Sequence, residues 1–383
     1  MTRPIVPLAE RLPGALAVLE DGMCDKLQVG AQVYVSLGGE TVADDALGLA
    51  RPGVAMTTDS LMTWLSCSKI PTSLAALVQV ERGGFALDDP VARHLPEFAA
   101  HGKERIRVRH LFTHTCGLQA LELQLFPVRY RQSFAENVAL ICAAHPDPDW
   151  EPGQRAGYQT TAAMLLLAEL VRHSDGRTFD RFVREEVFGP LGMDDSWIGM
   201  PRDVIERYGD RLGITFDTSS GEPRPRSFAP DQPEQLAAVM PGGNGRGPVR
   251  ELARLLELLG GGGEREGVRL LSSASVAAMT ARQREGLFDE SWRTVLDWGL
   301  GLILDSKQHH GGRNHLYGYG RHASPRSFGH SGFRTAVAFC DPDCSLVAAV
   351  VWNGMVADDA IHSERQHRFL EAVYEDLGLA IRA

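Results

Sequence analysis

The residues best suited to chemistry in this sequence are a serine and a lysine three positions apart, Ser66 and Lys69. A serine hydroxyl is a weak nucleophile that needs an adjacent base, and a buried lysine can be that base because burial lowers its pKa. The pattern predicts a helix that begins at Ser66, so both side chains would project from one face. Ser66 is the candidate nucleophile, Lys69 is the candidate base, and the Ser66 N–H could hold an oxyanion. A solvated lysine on an ordinary turn is the alternative, and Pro71 indicates that this turn is kinked or precedes the regular helix.

Lysine is rare in this chain, which contains 35 arginines and only four lysines. Arginine is always charged and cannot act as a neutral amine, whereas a buried lysine can lose its proton. Lys26, Lys103 and Lys307 lie in charged or loop contexts and are predicted to be surface residues. Lys69 is therefore the lysine whose position favours catalysis.

Tyr158 is the candidate proton relay. It follows a turn at 151–153 and precedes an apolar helical segment at 162–170. A tyrosine at such a junction can reach into a cleft, where a nearby ammonium would stabilise its phenolate and its hydroxyl could pass a proton to a leaving group. The alternative is a tyrosine that packs its ring on the core and keeps its hydroxyl in water.

A third candidate segment, 328–333, contains His330, Ser331, Gly332 and Phe333 and precedes a predicted strand. Its glycines would let a substrate approach the backbone closely, and an edge strand can offer N–H and C=O groups to a ligand. The N–H of Phe333 could be a second oxyanion donor. The segment is not the nucleophile elbow Gly-x-Ser-x-Gly, because Phe333 occupies the position of the final glycine.

The elements that must position these residues come from both ends of the chain. Hydrophobic spacing predicts a helix at 7–22 with a break at Pro13, strands at 30–37 and 41–47, and a helix at 66–82. Strands return at 298–304, 334–340 and 345–352, followed by an amphipathic helix from 361 to 377. The predicted class is α+β, with one antiparallel sheet flanked by helices. The predicted domains are a sheet domain, 1–88 plus 291–383, and a mainly helical inserted domain, 89–290.

Composition excludes several classes of partner. The chain has 383 residues and a net charge of −10, without any run of basic residues, which argues against nucleic acid and anionic membranes. No apolar stretch is long enough to cross a bilayer. The absence of a signal-peptide pattern predicts a cytoplasmic protein whose six cysteines are reduced thiols. The oligomeric state has no signal in the sequence.

No cofactor or metal is predicted. The glycine run at 260–263 lacks the Lys-Ser/Thr of a phosphate-binding loop, so it is predicted to be a loop that ends a helix. His309, His310 and His315 form a histidine-rich stretch, but the carboxylate-and-histidine spacing of a zinc site does not accompany them.

Together, these motifs resemble the serine β-lactamase and penicillin-binding-protein superfamily, and in particular its class C-like branch of DD-peptidases, carboxylesterases and acyltransferases. The order matches: Ser-x-x-Lys first, Tyr-x-Asn in the middle, and a Lys/His-Thr/Ser-Gly triplet on a late strand. The segments 87–98, 110–118 and 267–272 are also similar to that family's pattern. The resemblance covers roughly residues 25–375.

The resemblance implies the β-lactamase/transpeptidase-like fold and a role for each matching residue. Ser66 would be acylated, Lys69 would be its base, and Tyr158 would relay the proton. His330, with Ser331 and Gly332, would supply positive charge or a hydrogen bond near the substrate or Tyr158. Thr160 stands where the family usually has asparagine, so an amide that helps to hold an acylamino side chain is missing.

Thr160, together with His330, favours an esterase or an acyltransferase over an efficient β-lactamase. The expected function is that of a serine hydrolase acting through an acyl-enzyme on Ser66, as a carboxylesterase on a small or medium ester. Three alternatives stay open: an acyltransferase in a biosynthetic pathway, a weak β-lactamase or DD-peptidase, and a ligand-binding member without turnover. In each case the expected partner is a small-molecule ester or amide.

Overall fold

A computed structural model of the chain describes residues 6–226 and 231–381. Seven strands form its main sheet: β1 (Gly30–Leu37), β2 (Glu40–Arg51), β3 (Val54–Ala55), β4 (Ile303–Leu304), β5 (Phe328–Gly332), β6 (Ala336–Asp341) and β7 (Leu346–Trp352). Shorter pairings join Met62–Thr63 to Arg246–Gly247, Phe216–Asp217 to Arg224–Pro225 and Gly354–Met355, Glu264–Arg265 to Val268–Arg269, and Phe288–Asp289 to Thr294–Val295.

The longer helices are α1 (Pro13–Cys24), α2 (Lys69–Glu81), α3 (Gln119–Leu125), α4 (Phe134–Ala143), α5 (Ala162–Asp175), α6 (Arg202–Tyr208), α7 (Val249–Gly260), α8 (Ser273–Thr280) and α9 (Asp359–Asp376). Shorter helical segments are Leu8–Arg11, Leu65–Ser68, Val91–His94, Pro96–Gly102, Val108–Phe112, Phe179–Val183, Arg184–Phe188, Gly209–Arg211, Pro233–Leu236 and Lys307–His310. Across residues 6–226 and 231–381, every helix is too short or too polar to cross a membrane.

The main sheet joins the two ends of the chain. Its strand order is β4-β5-β6-β7-β1-β2-β3, and every neighbouring pair is antiparallel. The central β1–β7 pairing runs from Ala31 opposite Trp352 to Leu37 opposite Leu346. The predicted α+β class with a shared antiparallel sheet is confirmed.

Both faces of the sheet are buried. Val337 and Val350 belong to one hydrophobic cluster with the terminal helices α1 and α9, whereas Ala338 and Ala349 belong to a second cluster with α2, α5 and α7. Successive side chains of a strand point to opposite faces, so a strand covered on both sides must be apolar throughout. This requirement explains the uninterrupted apolar sequence of β7.

Helix α7 connects the middle of the chain to the sheet. Although it lies within the predicted inserted segment 89–290, it packs on β1, β6 and β7. The division into 1–88 plus 291–383 and 89–290 stays a prediction, and residues 1–5 of it lie outside the described ranges. The Gly260-to-Gly263 run ends this helix, in the position expected from the sequence.

One predicted strand is shorter than expected. The strand expected at 298–304 is confined to Ile303–Leu304. Gly301 has φ +75°, and a Cβ atom there would lie 1.8 Å from Ser73 Oγ. The chain therefore turns at this glycine and lies directly against α2, which a continuous strand could not do.

The segment at 328–333 precedes a strand, as predicted, and most of it is itself a strand. His330, Ser331 and Gly332 belong to β5, and the next strand begins at Ala336 instead of the expected position 334. Arg334 has φ +51° in the intervening turn, which ends extended structure there. Strand β4 pairs with β5 only at Phe328 and Gly329, so β4 leaves the edge of the site segment uncovered.

Two of the four lysines contradict the expected surface location. Lys103 is fully buried and only 12% of the Lys307 side chain is exposed, whereas Lys26 is exposed as predicted. The ammonium groups of these two lysines donate to carbonyl and carboxylate oxygens: Lys103 donates to the carbonyls of Ala100, Cys142 and Ala144, and Lys307 donates to Asp305 and the carbonyls of Gly320 and Ala323. Loop sequences that look polar can thus fold around a buried cation.

Candidate active site

The nucleophile turn, Leu65–Ser68, is a 3₁₀ turn that precedes α2. Ser66 therefore does not open the regular helix as expected; the helix begins at Lys69. Pro71 is the third helical residue, where its missing N–H would have had no partner within the helix. This position removes the conflict that Pro71 posed in the sequence.

Backbone strain and side-chain bonds shape the nucleophile turn. Leu65 has φ +46°, an uncommon conformation for a bulky residue that costs about 1–3 kcal/mol. Two hydrogen bonds of the Ser68 hydroxyl stabilise this conformation. The hydroxyl donates to the Leu65 carbonyl and accepts from the Gly245 N–H at 2.7 Å. The turn thus holds Ser66 in a fixed position beside the cleft.

The three candidate catalytic side chains meet at the Ser66 hydroxyl. The Ser66 Oγ accepts a hydrogen bond from the Tyr158 hydroxyl at 2.8 Å and one from Lys69 Nζ at 3.4 Å. Lys69 Nζ also donates to the carbonyls of Gly242 at 2.9 Å and Thr160 at 3.3 Å. Backbone carbonyls, which carry no net charge, therefore orient the side-chain nitrogen of Lys69.

Burial shifts the pKa values of Lys69 and Tyr158 in opposite directions. Desolvation of the fully buried Lys69 lowers its pKa to about 7, with Glu122 opposing the shift and Arg129 adding to it. Lys69 can therefore be a neutral amine near neutral pH and accept the Ser66 proton. Burial raises the pKa of Tyr158 well above 10, so it is a protonated phenol and not the stabilised phenolate expected from the sequence.

A buried ion pair positions Tyr158. Its backbone N–H donates to Asp289 at 3.1 Å, and Asp289 accepts from Arg284 at 2.9 Å. The Tyr158 ring stacks on Trp292 with centroids 4.2 Å apart, and its other neighbours include His114 at 4.7 Å. Sequence reasoning missed Asp289, Arg284 and Trp292, because no local motif marks residues that lie more than 120 positions from Tyr158.

Glu122 fixes the segment that follows Tyr158. Its carboxylate accepts the Thr160 hydroxyl at 2.5 Å and the N–H groups of Thr161 at 3.0 Å and Ala162 at 2.7 Å. It therefore caps the start of α5 while it holds Thr160, whose carbonyl faces Lys69. Thr160 lines the cavity, as a predicted binding residue should, but its hydroxyl is committed to Glu122.

The β5 segment divides between the cavity and the interior. Ser331 and Phe333 line the cavity, whereas His330 is fully buried next to Trp298 and Tyr158. Burial and the charge of Lys69 lower the pKa of His330 to about 3. The positive charge is therefore the wrong alternative for His330, because a neutral imidazole is held behind the strand, and a hydrogen bond near the substrate or Tyr158 stays a prediction.

Gly332 lets β5 approach the nucleophile turn. A Cβ atom at this position would lie 2.4 Å from the Trp64 carbonyl oxygen and 3.1 Å from the Ala336 Cβ. The Cys67 thiol donates to the His330 carbonyl at 3.2 Å, which joins the same two elements. Gly332 thus acts by close packing, and the Phe333 N–H as an oxyanion donor stays a prediction.

The candidate catalytic residues Ser66 and Tyr158 open into a cavity of about 420 Å³. Ser66, Tyr158, Thr160, Ser331 and Phe333 line it together with residues that the sequence did not indicate, among them Arg129, Tyr130, Trp292, Tyr317 and Arg226. Stacked aromatic rings form one wall, with Trp292 and Tyr317 centroids 4.3 Å apart. The cavity can hold an ester of modest size beside the nucleophile.

The histidine-rich stretch has other contacts. His309 hydrogen-bonds Asp297 at 3.0 Å, and the rings of His310 and His315 stack with centroids 4.7 Å apart. Within residues 6–226 and 231–381, no group of three His, Cys, Asp or Glu side chains is arranged to hold a metal ion.

Comparison with known proteins identifies one family. A sequence model of the β-lactamase family matches residues 17–371. The chain is 27% identical to the esterase/β-lactamase LipL of Mycobacterium tuberculosis, over 86% of this chain and 78% of LipL. It is 31% identical to the esterase EstB of Burkholderia gladioli, over 66% of this chain and 70% of EstB. The crystal structure of a family VIII carboxylesterase superposes with a TM-score of 0.79 and 25% identity, covering 98% of this chain and 99% of that chain.

Proposed function

This chain belongs to the β-lactamase family of serine hydrolases, and we propose that it is a carboxylesterase that hydrolyses small or medium esters through an acyl-enzyme on Ser66. One observation carries the proposal: the Ser66 hydroxyl lies within hydrogen-bond distance of both a lysine whose pKa is lowered to about 7 and a protonated tyrosine. A base and an acid thus flank one nucleophile.

Acylation uses these groups in a defined order. Neutral Lys69 accepts the Ser66 proton while Oγ attacks the ester carbonyl, and the N–H groups of Ser66 and Phe333 stabilise the oxyanion. When the tetrahedral intermediate collapses, Tyr158 donates its proton to the departing alkoxide and takes a proton back from the Lys69 ammonium. The products of this half-reaction are the free alcohol and the Ser66 ester.

Deacylation runs through the same groups in reverse. Water, deprotonated through Tyr158 and Lys69, attacks the Ser66 ester, and the proton returns to Ser66 Oγ as the acid leaves. Both half-reactions begin with the neutral amine of Lys69, and the burial of Lys69 favours that form.

The surroundings of the nucleophile favour esters over β-lactams and peptides. His330 offers no cation on β5, and the Thr160 hydroxyl is engaged by Glu122. The aromatic wall of Tyr158, Trp292 and Tyr317 suits an apolar acyl or alcohol group. The esterase names of LipL and EstB agree with this preference.

A substrate panel tests the proposal. Phenyl butyrate, butyranilide and a chromogenic cephalosporin are supplied separately, with and without an amine acceptor, and intact mass is measured after treatment with a fluorophosphonate. We expect fastest turnover of the ester and a single adduct on the wild type that is missing from Ser66→Ala.

The other outcomes contradict the proposal in different ways. Faster turnover of the cephalosporin indicates a β-lactamase, and amide product in preference to butyrate indicates an acyltransferase. Absence of both adduct and turnover indicates a ligand-binding protein.

A further inference from the structure

Arg129 lines the same cavity as Ser66, yet the acyl-transfer steps do not use it. It lies just after α3, in the segment that also contains Phe126 and Tyr130. Its guanidinium lies over the Phe126 ring at 3.9 Å and near the Tyr130 ring at 5.3 Å, and Nη1 donates to the Thr161 hydroxyl at 3.4 Å. These contacts hold a planar cation at the cavity wall while most of its N–H groups keep their donor capacity.

Two contacts locate this guanidinium near Lys69. Thr161, which accepts from it, directly follows Thr160, whose carbonyl accepts from Lys69 Nζ. The Tyr130 hydroxyl lies 3.4 Å from the position of a Cβ built on Gly243, the neighbour of another Lys69 acceptor. The charge of Arg129 also contributes to the lowered pKa of Lys69. Arg129 therefore faces the end of the cleft at which the base lies.

The positive charge of Arg129 has no protein counter-ion among the described residues, although many other arginines of this acidic chain form ion pairs. Glu122 is nearby, but three donors from 160–162 already occupy its oxygens. Asp359, a carboxylate of the cavity lining, accepts from Arg334 at 2.7 Å. Arg226 adds a second guanidinium to the lining.

We propose that this cleft selects esters that carry a carboxylate, and that Arg129 binds the carboxylate through paired N–H groups. A planar guanidinium matches the two oxygens of a carboxylate, and such charge-assisted hydrogen bonds are stronger than neutral ones. The net charge of −10 means that most of the molecular surface repels anions. A guanidinium in the cleft would attract anionic substrates to the vicinity of Ser66. This inference rests on the proposed esterase function and specifies its substrate class.

Matched esters test the inference, since the carboxylate can belong to the acyl or the alcohol part. Phenyl hydrogen adipate is compared with phenyl hexanoate, and 4-acetoxybenzoate with methyl 4-acetoxybenzoate, at pH 8. For each pair we divide kcat/KM of the charged ester by kcat/KM of the neutral ester. In the pair whose carboxylate contacts Arg129, we expect this ratio to fall about 10- to 100-fold in Arg129→Gln and less in Arg129→Lys. The ratio cancels any effect on Lys69 that both esters share.

Arg131→Gln is the matched control, because Arg131 is an exposed arginine of the same segment outside the cavity lining. It should leave both ratios within about twofold of the wild type. If Arg129→Gln leaves both ratios unchanged, the carboxylate site is wrong even though the esters are hydrolysed.

A binding readout separates this inference from the proposed function. Adipate should slow labelling of Ser66 by an uncharged fluorophosphonate in the wild type and lose that protection in Arg129→Gln. Protection without turnover of any ester would keep the anion site and overturn the esterase. Equal protection in both proteins would overturn the anion site.

Discussion

Among single residues, Lys69 combines complete burial with partners that carry no negative charge. Its three acceptors are one hydroxyl and two backbone carbonyls. Carbonyl dipoles orient the amine, but they stabilise its ammonium form less than a carboxylate would. The base strength of the site is thus set by desolvation.

The pH dependence of turnover should report Lys69. Because the neutral amine is the active form and its pKa lies at about 7, kcat/KM should rise as pH increases through about 7 and become constant above it. Lys69→Arg should lower kcat/KM by about 100- to 10,000-fold, since a guanidinium keeps its proton. Steady-state kinetics from pH 5.5 to 9 with circular dichroism as a fold control measures both, and an active, folded Lys69→Arg enzyme would exclude Lys69 as the base.

Glu122 is a positioning residue whose removal should shift the same profile. Its negative charge raises the pKa of Lys69, so Glu122→Gln should move the midpoint of the pH profile below that of the wild type. Loss of the charged cap on α5 should also reduce stability by about 0.5–2 kcal/mol. The measurements are the kcat/KM profile and urea unfolding.

Glu136→Gln provides the comparison for Glu122, because Glu136 belongs to the capping box of α4 and does not line the cavity. It should keep the wild-type midpoint, because Glu136 is a fully exposed capping residue whose charge is not among those that act on Lys69. Coincident pH profiles for Glu122→Gln and the wild type would show that Glu122 serves only as a helix cap.

Between elements, the contact of β5 with the nucleophile turn decides the geometry of the site. Gly332→Ala would bring a methyl group against the Trp64 carbonyl, so β5 or the turn must move. We expect a loss of about 1–3 kcal/mol in stability and at least about tenfold in kcat/KM. Thermal unfolding and ester hydrolysis measure the two effects.

Val350→Ala separates lost stability from lost alignment in that experiment. Val350 lies on β7, within the cluster around the terminal helices. Removing its methyl groups should lower the melting temperature but keep kcat/KM within about threefold of the wild type. A Gly332→Ala protein with wild-type turnover would mean that the strand and the turn need not touch.

Elements differ in how well the sequence predicts them. The strands that form β1, β2 and β7 follow from apolar runs and turn residues, because local pattern and tertiary role agree there. The strand expected at 298–304 fails since Gly301 turns the chain against Ser73, a contact invisible in sequence. The roles proposed for Ser66, Lys69 and Tyr158 follow from residue type and order.

The partners of these residues depend on distant packing. Asp289 and Arg284 position Tyr158 from elsewhere in the chain, and His330 loses its expected charge because Trp298 and Tyr158 enclose it. Lys103 is buried because loop carbonyls converge on it. None of these residues carries a local signal of its environment.

For the molecule as a whole, buried neutral histidines predict weak stability in acid. The pKa values of His315 and His330 are lowered from 6.5 to about 3 by burial. Below pH 6.5 the unfolded chain binds protons that the folded chain does not, so stability is highest above 6.5 and falls toward pH 3. Each histidine contributes up to about 1.4 kcal/mol per pH unit in that window.

Urea unfolding at pH 7.5, 6.5, 5.5 and 4.5 checks this dependence. The free energy of unfolding should decrease at each step below 6.5, and His330→Asn should show a shallower decrease than the wild type. A free energy that stays constant between pH 6.5 and 4.5 would contradict the neutral, buried state of these histidines.

The pairing of β1 with β7 has a consequence for synthesis on the ribosome. Strand β1 is made early, but its residue Ala31 pairs with Trp352 of β7, 321 positions later in the sequence. The central sheet, and with it the surface that carries β5 to Ser66, cannot close until β7 has been translated. Nascent chains should therefore expose an apolar edge of β1 until β7 emerges from the ribosome, so that folding depends on protection from aggregation during that interval.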